Sequence, residues 1–279
     1  MLLIKLFFLC LLSFLSASTL EDIIFKNYNH NHFKTFHNYS MQVSGEDMPM
    51  LMHKTGKKIS KLYFEQYQLN DKKEKHIFIY HSGIYKNIKV LIEIEEQNTQ
   101  VNVWLPQFRK TRRIISFRKS DPWNGTNFTY GDILLIHPKD EIHEILGYKR
   151  IQTNTQKLEN FKVKNYWNIK EKETIKIKST PKNANLNYDH RISYIDKEYY
   201  FDYIVEYYKN SVLIKRLEKV WHDKKDGVSI LGYWYAKNFL LNTESLIYIP
   251  KSSTVFNSNL NKKNFSKNML HKTIHARKR

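Results

Sequence analysis

Acid–base chemistry has one local candidate in this sequence. His137, Asp140, Glu141, His143 and Glu144 crowd into eight positions, and imidazoles beside carboxylates can exchange protons or hold a cation. Read as a helix, Asp140 and Glu144 share a face. A solvated helix face has the same composition, so no catalytic residue is assigned there. His30, His32 and His37 invite a metal reading, because histidines two apart on a strand project to one side. No cysteine or nearby carboxylate completes a ligand set, so no metal is assigned and these histidines are expected at the surface. The chain contains no H-E-x-x-H, no phosphate-cradling glycine loop and no dinucleotide fingerprint. Gly227-Val228-Ser229-Ile230-Leu231-Gly232 misses a nucleophile elbow by one position. The N-x-S/T triplets at Asn38, Asn124, Asn127 and Asn264 are what chance supplies in an asparagine-rich chain. No cofactor is expected, and the chain is not read as an enzyme.

Charge points to a surface partner. The formal net charge is +19, from 46 Lys and Arg against 27 Asp and Glu. Lys, Asn, Ile, Tyr and Phe are abundant and Gly and Pro scarce, a bias that AT-rich coding also produces. Arg109, Lys110, Arg112 and Arg113 form a basic cluster read as a turn, a candidate contact for an anionic membrane surface or an acidic partner; a solvated hairpin turn would look the same. Nucleic acid is not an expected partner, because the amino terminus reads as an export signal. Met1–Ser18 carries one charge, Lys5, an apolar run from Leu6 to Leu15, and small residues Ser16-Ala17-Ser18 before an expected cleavage ahead of Thr19. The run is shorter than the ~20 residues of an ordinary spanning helix. The single cysteine, Cys10, lies inside it and lacks the small residue a lipidation site needs just before it. The mature chain would then contain no cysteine.

The elements around these candidates are mostly strands. Thr19 to Lys34 begins as a helix. Short runs follow with tight polar turns: Phe36 to Val43, Ile59 to Leu69, Ile77 to His81, Ile88 to Ile94, and Val101 to Leu105, stopped by Pro106. Ile114 to Phe117 is a short β-like run. Residues 136–151 are read as one or two short helices closed by Gly147. Further strands are expected over Phe161–Trp167, Thr174–Lys178, Arg191–Ile195, Tyr199–Tyr208, Val212–His222, Gly232–Phe239 and Glu244–Ile249. A short helix is expected over Phe265–Leu270, with a basic flexible tail over 272–279. With 19 Tyr, 16 Phe and 5 Trp, several strands are apolar on both faces, so both faces of the sheet need cover.

The most informative stretch is Val103–Leu135. Within it, Ser120 to Asn127 has loop chemistry, yet carries Trp123 beside Gly125. Phe128, Tyr130, Ile133 and Leu134 follow at roughly helical spacing, with Thr126 or Asn127 placed as the cap. Rings in so polar a loop imply a dry place for them to go. Trp104-Leu105-Pro106, Arg112-Arg113-Ile114, Gly125-Thr126-Asn127-Phe128-Thr129-Tyr130 and Asp132 together resemble the outer-membrane lipoprotein-sorting family, LolA/LolB-like. The family usually has aspartate where this chain has Asn127 and glutamate where it has Gly131. Looser likeness continues through Ile192–Val205, Leu217–Val220, Gly232-Tyr233-Trp234 and Asn257 to Leu270, so it covers roughly residues 33–271.

The resemblance implies a mainly β, α+β fold: an open, strongly curved antiparallel half-barrel, with short helices closing its concave mouth. It implies one domain over 19–271 and a periplasmic carrier holding acyl chains of lipoproteins or lipids in an apolar cavity. The donor would be an inner-membrane transporter of the RND or ABC type, and the acceptor would sit at the outer membrane. Trp104, Trp123, Gly125, Phe128, Tyr130, Ile133 and Leu134 become the candidate cavity and lid residues. Two other readings stay open: an envelope protein-binding β module without lipid cargo, and a lipid-acting hydrolase using residues 137–144.

Overall fold

The computed structural model describes residues 19–31, 38–41, 50–53, 57–70, 73–95, 98–115, 118–153, 169–183, 186–225, 228–250, 253–256 and 261–272. The expected signal sequence, His32, His37, the run 161–167 and the end of the tail lie outside them.

The chain opens with helix α1 (Leu20–Asn31). Thr19 Oγ1 accepts from the Asp22 amide and Asp22 from the Thr19 amide, so its first turn is capped reciprocally. Strands follow in two groups. The first is β1 (Asn38–Met41), β2 (Met50–His53), β3 (Lys57–Asn70), β4 (Lys73–Tyr80), β5 (Lys89–Glu95), β6 (Asn98–Leu105) and β7 (Lys110–Ile114). A segment with the short helix α2 (Tyr130–Ile133) separates them from β8 (Glu141–Thr153), β9 (Ile169–Pro181), β10 (His190–Asp196), β11 (Asp202–Lys209), β12 (Val212–Lys225), β13 (Val228–Asn238), β14 (Thr243–Tyr248) and β15 (Thr254–Phe256).

All pairings are antiparallel, and the strand order is β7-β6-β5-β4-β3-β2-β14-β13-β12-β11-β10-β9-β8, with β1 and β15 branching at β3. The two groups are joined where β2 pairs with β14, Ser245 opposite His53. Among the described residues β7 and β8 end this order and do not pair with each other, so the sheet stays open. It is an open half-barrel of the α+β class, as expected.

Alternation sorts the side chains. On β4, Phe78 and Tyr80 face the interloop segment while Ile77 and Ile79 face away, joining Leu91, Phe265 and Leu270 beneath the C-terminal 3-10 turns. The first face is the concave one. Trp123 and Phe128, held in one tight loop, reach Phe78 on β4 and Trp234 on β13. Those strands are four steps apart in the order, about 19 Å in a flat sheet at ~4.8 Å per step, and curvature brings them under one loop. Helix α1 covers the far part of the same face. Ile23 and Ile24 pack on Ile175, Ile177 and Ile195 of β9 and β10.

Residues 136–151 depart from expectation. They contain one 3-10 turn, Pro138–Asp140, and then the long edge strand β8. A register shift between Ile145 and Gly147, with Gly147 at φ +120°, breaks its alternation. A β-bulge inserts one residue, and the shifted apolar positions Ile142, Ile145 and Leu146 then mimic helical spacing. The basic cluster also differs. Arg109 alone is in the turn, at φ +48°, while Lys110, Arg112 and Arg113 sit on edge strand β7. The C-terminal helix is two 3-10 turns, Lys262–Asn264 and Lys267–Met269.

Candidate functional site

The loop 118–137 is built to hold two rings on one side. The Trp123 amide donates to Phe128 O at 2.7 Å and the Tyr130 amide to Asp121 O at 3.1 Å, so the loop closes as a narrow ribbon. Between them Asn124 and Gly125 both adopt left-handed backbone, φ +51° and +67°, a conformation that suits asparagine and glycine. Thr126 Oγ1 donates to Trp123 O and accepts from the Phe128 amide. Trp123 then meets Phe78 edge-on at 5.6 Å, and Phe128 lies 5.1 Å from Trp234. Both rings are buried in the main core, with Leu134 beside them and Tyr130 and Ile133 packed at its margin.

The cap of α2 is Thr129, not Thr126 or Asn127. Thr129 Oγ1 accepts from the Asp132 amide, and the Asp132 carboxylate accepts from the Thr129 amide. Asn127 instead bonds strand β14: its amide donates to Ser245 Oγ, and its Oδ1 accepts from Thr243 Oγ1 at 2.8 Å. Gly131 has a steric reason. Its amide donates to Lys119 O at 2.7 Å, and a Cβ there would stand 3.0 Å from that oxygen. The glutamate usual in the resembled family would push this backbone apart.

Asp132 is the main attachment. Its Oδ1 accepts from Tyr207 Oη at 2.7 Å, and its Oδ2 from Lys215 Nζ at 2.6 Å, all three side chains being buried on the concave face. Around it lie further buried pairs. Arg191 binds Glu141 through two nitrogens, at 2.9 and 2.6 Å. Lys219 joins Asp202 at 3.0 Å and Asn31 of α1 at 2.9 Å. Burial works against the charges of Arg191 and Asp202, but Glu141 holds the Arg191 guanidinium charged and Lys219 keeps Asp202 below the usual carboxylate range. Burial, then Asp132, raises the Tyr207 phenol.

Between α1, α2 and the sheet remains a cleft of about 50 Å³, lined among others by Ile24, Tyr28, Asp132, Tyr207, Lys219 and Trp234. That is room for water, far below the ~300–1,000 Å³ of a small-molecule pocket. The rings of Trp123 and Phe128 occupy the apolar concavity.

The remaining sequence candidates are dispersed. Trp104 is on the opposite face of β6 from Val101 and Val103, against Ile77, Leu91 and His271 under the C-terminal turns, so it does not line the concavity. Arg109, Lys110, Arg112 and Arg113 are exposed, with Arg112 over the Phe108 ring. The acid–base cluster shares no helix face: Asp140 pairs with Lys119, Glu141 with Arg191, and Glu144 is exposed. His143 is bracketed by Ser179 Oγ and Pro138 O, each at 2.9 Å, and burial lowers its pKa. Among the described residues no group of three or more potential metal ligands forms. His30 is half-buried rather than exposed. It packs between Phe201 and Trp221, and burial drives its pKa down to about 4.

A family model described as "-like: Uncharacterized protein" matches residues 71–272. The chain belongs to that family. Its fold recurs in solved structures at low sequence identity. A domain described as that of an outer membrane lipoprotein-sorting protein, from Vibrio parahaemolyticus, is 16% identical with a TM-score of 0.66, over 84% of this chain and 92% of that one. A DUF1329 family protein from Desulfovibrio piger gives 15% and 0.70, over 91% and 100%. A LolA superfamily protein from Nitrosomonas europaea gives 13% and 0.58, over 90% and 99%. No curated protein matches the sequence. The fold is therefore that of the LolA-like, lipoprotein-sorting structures. No helix among the described residues is long and apolar enough to cross a membrane.

Proposed function

We propose that this protein is a non-enzymatic periplasmic carrier. It holds acyl chains of lipoproteins or lipids on its concave face and moves them toward the outer membrane. The observation that carries the reading is the plug: Trp123 and Phe128, presented by a polar loop, fill an apolar trough floored by Phe78, Ile92, Val101, Trp234 and Ile247. An acyl chain would take the place of the rings. Burying about fifteen methylenes stabilises a chain by roughly 12 kcal/mol at ~0.8 kcal/mol each, whereas re-exposing two rings costs on the order of 2–3 kcal/mol apiece. A bilayer offers the chain the same apolar gain, so between cavity and membrane that contribution cancels. What remains is the cost of opening the loop, which favours release to an acceptor membrane. In this reading the domain spans residues 19–271 after signal cleavage, and the donor is an inner-membrane transporter of the RND or ABC type.

Native mass spectrometry of gently purified exported protein tests this. Bound mass released as acyl lipid, and displaced by a fluorescent fatty acid, is the expected result. Protein that takes up no acyl probe even with the plug loosened would refute carriage. A second reading, protein binding through a sheet edge, is favoured by Ile145, Leu146 and Tyr148, which are exposed along β8. A strand-shaped peptide protecting the β8 amides, without acyl uptake, would select it.

A further inference from the structure

The strand registers place four hairpin connections at the same end of the sheet. Trp104 pairs with Lys89, and Ile79 pairs with Lys89 on its other side, so the β6–β7 turn and the β4–β5 loop lie together. Lys215 pairs with Asn238, and Lys209 with Val212, so the β13–β14 and β11–β12 turns lie together. The pairing of β14 with β2 and of β3 with β4 puts both sets on one rim.

Each connection shows solvent a large apolar side chain. Ile84 is 83% exposed, Phe108 58%, Val212 56%, and Leu240 and Leu241 69% each, with Phe239 beside them. The β13–β14 turn is ordered, since the Leu241 amide donates to Asn238 Oδ1 at 3.0 Å. Its two leucines are thus displayed, not frayed, in a turn that ordinarily takes Gly, Asn or Asp. They contribute nothing to the core. Exposed bases stand among the tips: Lys86, Arg109, Lys110 and Lys209. The opposite end differs. Its described turn residues include Glu95, Asn98, Lys197 and Glu198, all exposed and none large and apolar. Other exposed apolar side chains run along the edges, Ile114 and Ile115 on or just after β7, and Ile145, Leu146 and Tyr148 on β8.

We infer that this rim is a membrane-docking surface, whose hairpin tips enter the apolar boundary of an anionic bilayer while the bases meet its headgroups. Separate tips on different hairpins fit a fluid partner better than a shaped protein groove. The net charge of +19 sets the sign of the lipid. Amphipathic insertion of this kind scales with buried apolar area plus attraction to anionic lipid. The inference does not depend on lipid carriage.

The test is cosedimentation with vesicles of phosphatidylethanolamine and phosphatidylglycerol, beside vesicles of phosphatidylcholine alone. The protein should bind the anionic vesicles. Leu240→Ser with Leu241→Ser should weaken that binding by at least roughly tenfold, from the lost burial of two leucines, at an unchanged melting temperature. Tyr148→Ser on the β8 edge should bind as the parent does. A Leu240→Trp reporter should shift its emission to the blue on binding. The inference is overturned if the parent ignores anionic vesicles, if the double variant binds like the parent, or if moderate salt abolishes all binding, which would leave charge attraction without insertion. Self-association through Leu240 and Leu241 without vesicle binding would also overturn it. Vesicle binding without acyl uptake would leave it standing and remove only the carrier reading.

Discussion

Asp132→Asn removes one charge from the attachment of the loop while keeping its shape. In the parent, Asp132 Oδ2 meets Lys215 Nζ at 2.6 Å and Oδ1 meets Tyr207 Oη at 2.7 Å, with the side chains of Asp132 and Lys215 only 2% and 11% exposed. Breaking such a buried pair from one side leaves the other charge uncompensated and costs about 3–5 kcal/mol. If the loop opens as a unit, that cost falls on the closed state. The opening constant of the loop should rise by roughly a hundred- to a few-thousandfold. Hydrogen exchange reads it directly, because the Trp123, Ile133 and Leu134 amides are all hydrogen-bonded within the loop segment. Their protection should fall by that factor, while amides pairing β12 with β13 keep theirs. Uptake of a fluorescent fatty acid should accelerate in parallel. Replacing both partners, Asp132→Leu with Lys215→Met, should recover much of the protection, since an apolar pair carries no buried charge. Loop and β12–β13 amides losing protection together would mean that the loop opens only by global unfolding, and the gate would be refuted.

Three further outcomes follow from the same geometry. Trp123→Ala and Phe128→Ala should each lower stability by about 3–5 kcal/mol, as buried aromatic truncations do, and should also speed exchange of an acyl probe, read by thermal melts beside fluorescence. His30, half-buried against Phe201 and Trp221 with Asp202 and Lys219 nearby, has a folded pKa near 4 against 6.5 when free, desolvation being the chief cause. The unfolded chain therefore takes the proton first, and the contribution of neutral His30 is complete above pH 6.5 and lost as pH falls toward 4. It amounts to roughly 3 kcal/mol, so His30→Phe should flatten the acid limb of a melting-temperature profile over that window. Reversing Arg109 and Arg113 to glutamate should weaken binding to anionic vesicles at low salt, and added salt should erase the difference.

What the sequence revealed follows from the range of the forces involved. Strands β3 to β6 were legible because alternation is local and both faces are covered. The burial of Trp123 and Phe128 was legible too, since two rings in a polar loop require a dry contact. Strand β8 was not, because it is an edge strand whose bulge at Gly147 breaks the period of two. The placement of Trp104 was within reach: alternation with Val101 and Val103 already puts it on the other face. The buried pairs could not be read. Glu141 and Arg191 lie 50 residues apart, and Asp132 and Lys215 lie 83 apart; nothing local marks one lysine among so many as the partner of one aspartate. Asp132 appears in the recognisable block of residues, but its role emerges only when β11 and β12 are folded beneath it.

On the proposed carrier reading, the combination of plug and pair suits a gate better than a core that is merely closed. Apolar burial is non-directional, so two rings over a broad aromatic and aliphatic trough could settle in many registers. A loop that never left would not need more, since covalent neighbours would keep it in place. One that leaves and returns must find a single register each time, and buried ionic contacts can supply that discrimination at a cost in stability. The attachments are distributed accordingly. Asp132 engages β11 and β12, Asn127 engages β14, and Asn124 accepts from Tyr85 beyond β4. They are polar and side-chain mediated, and they lie around the rings. Gly131 allows the helix backbone to rest on Lys119 O without a side chain between them. Polar attachments of this kind can be exchanged for water one at a time as the loop lifts, whereas the rings must leave together. That is the order of events expected of a cover that yields to a long apolar ligand entering from one side.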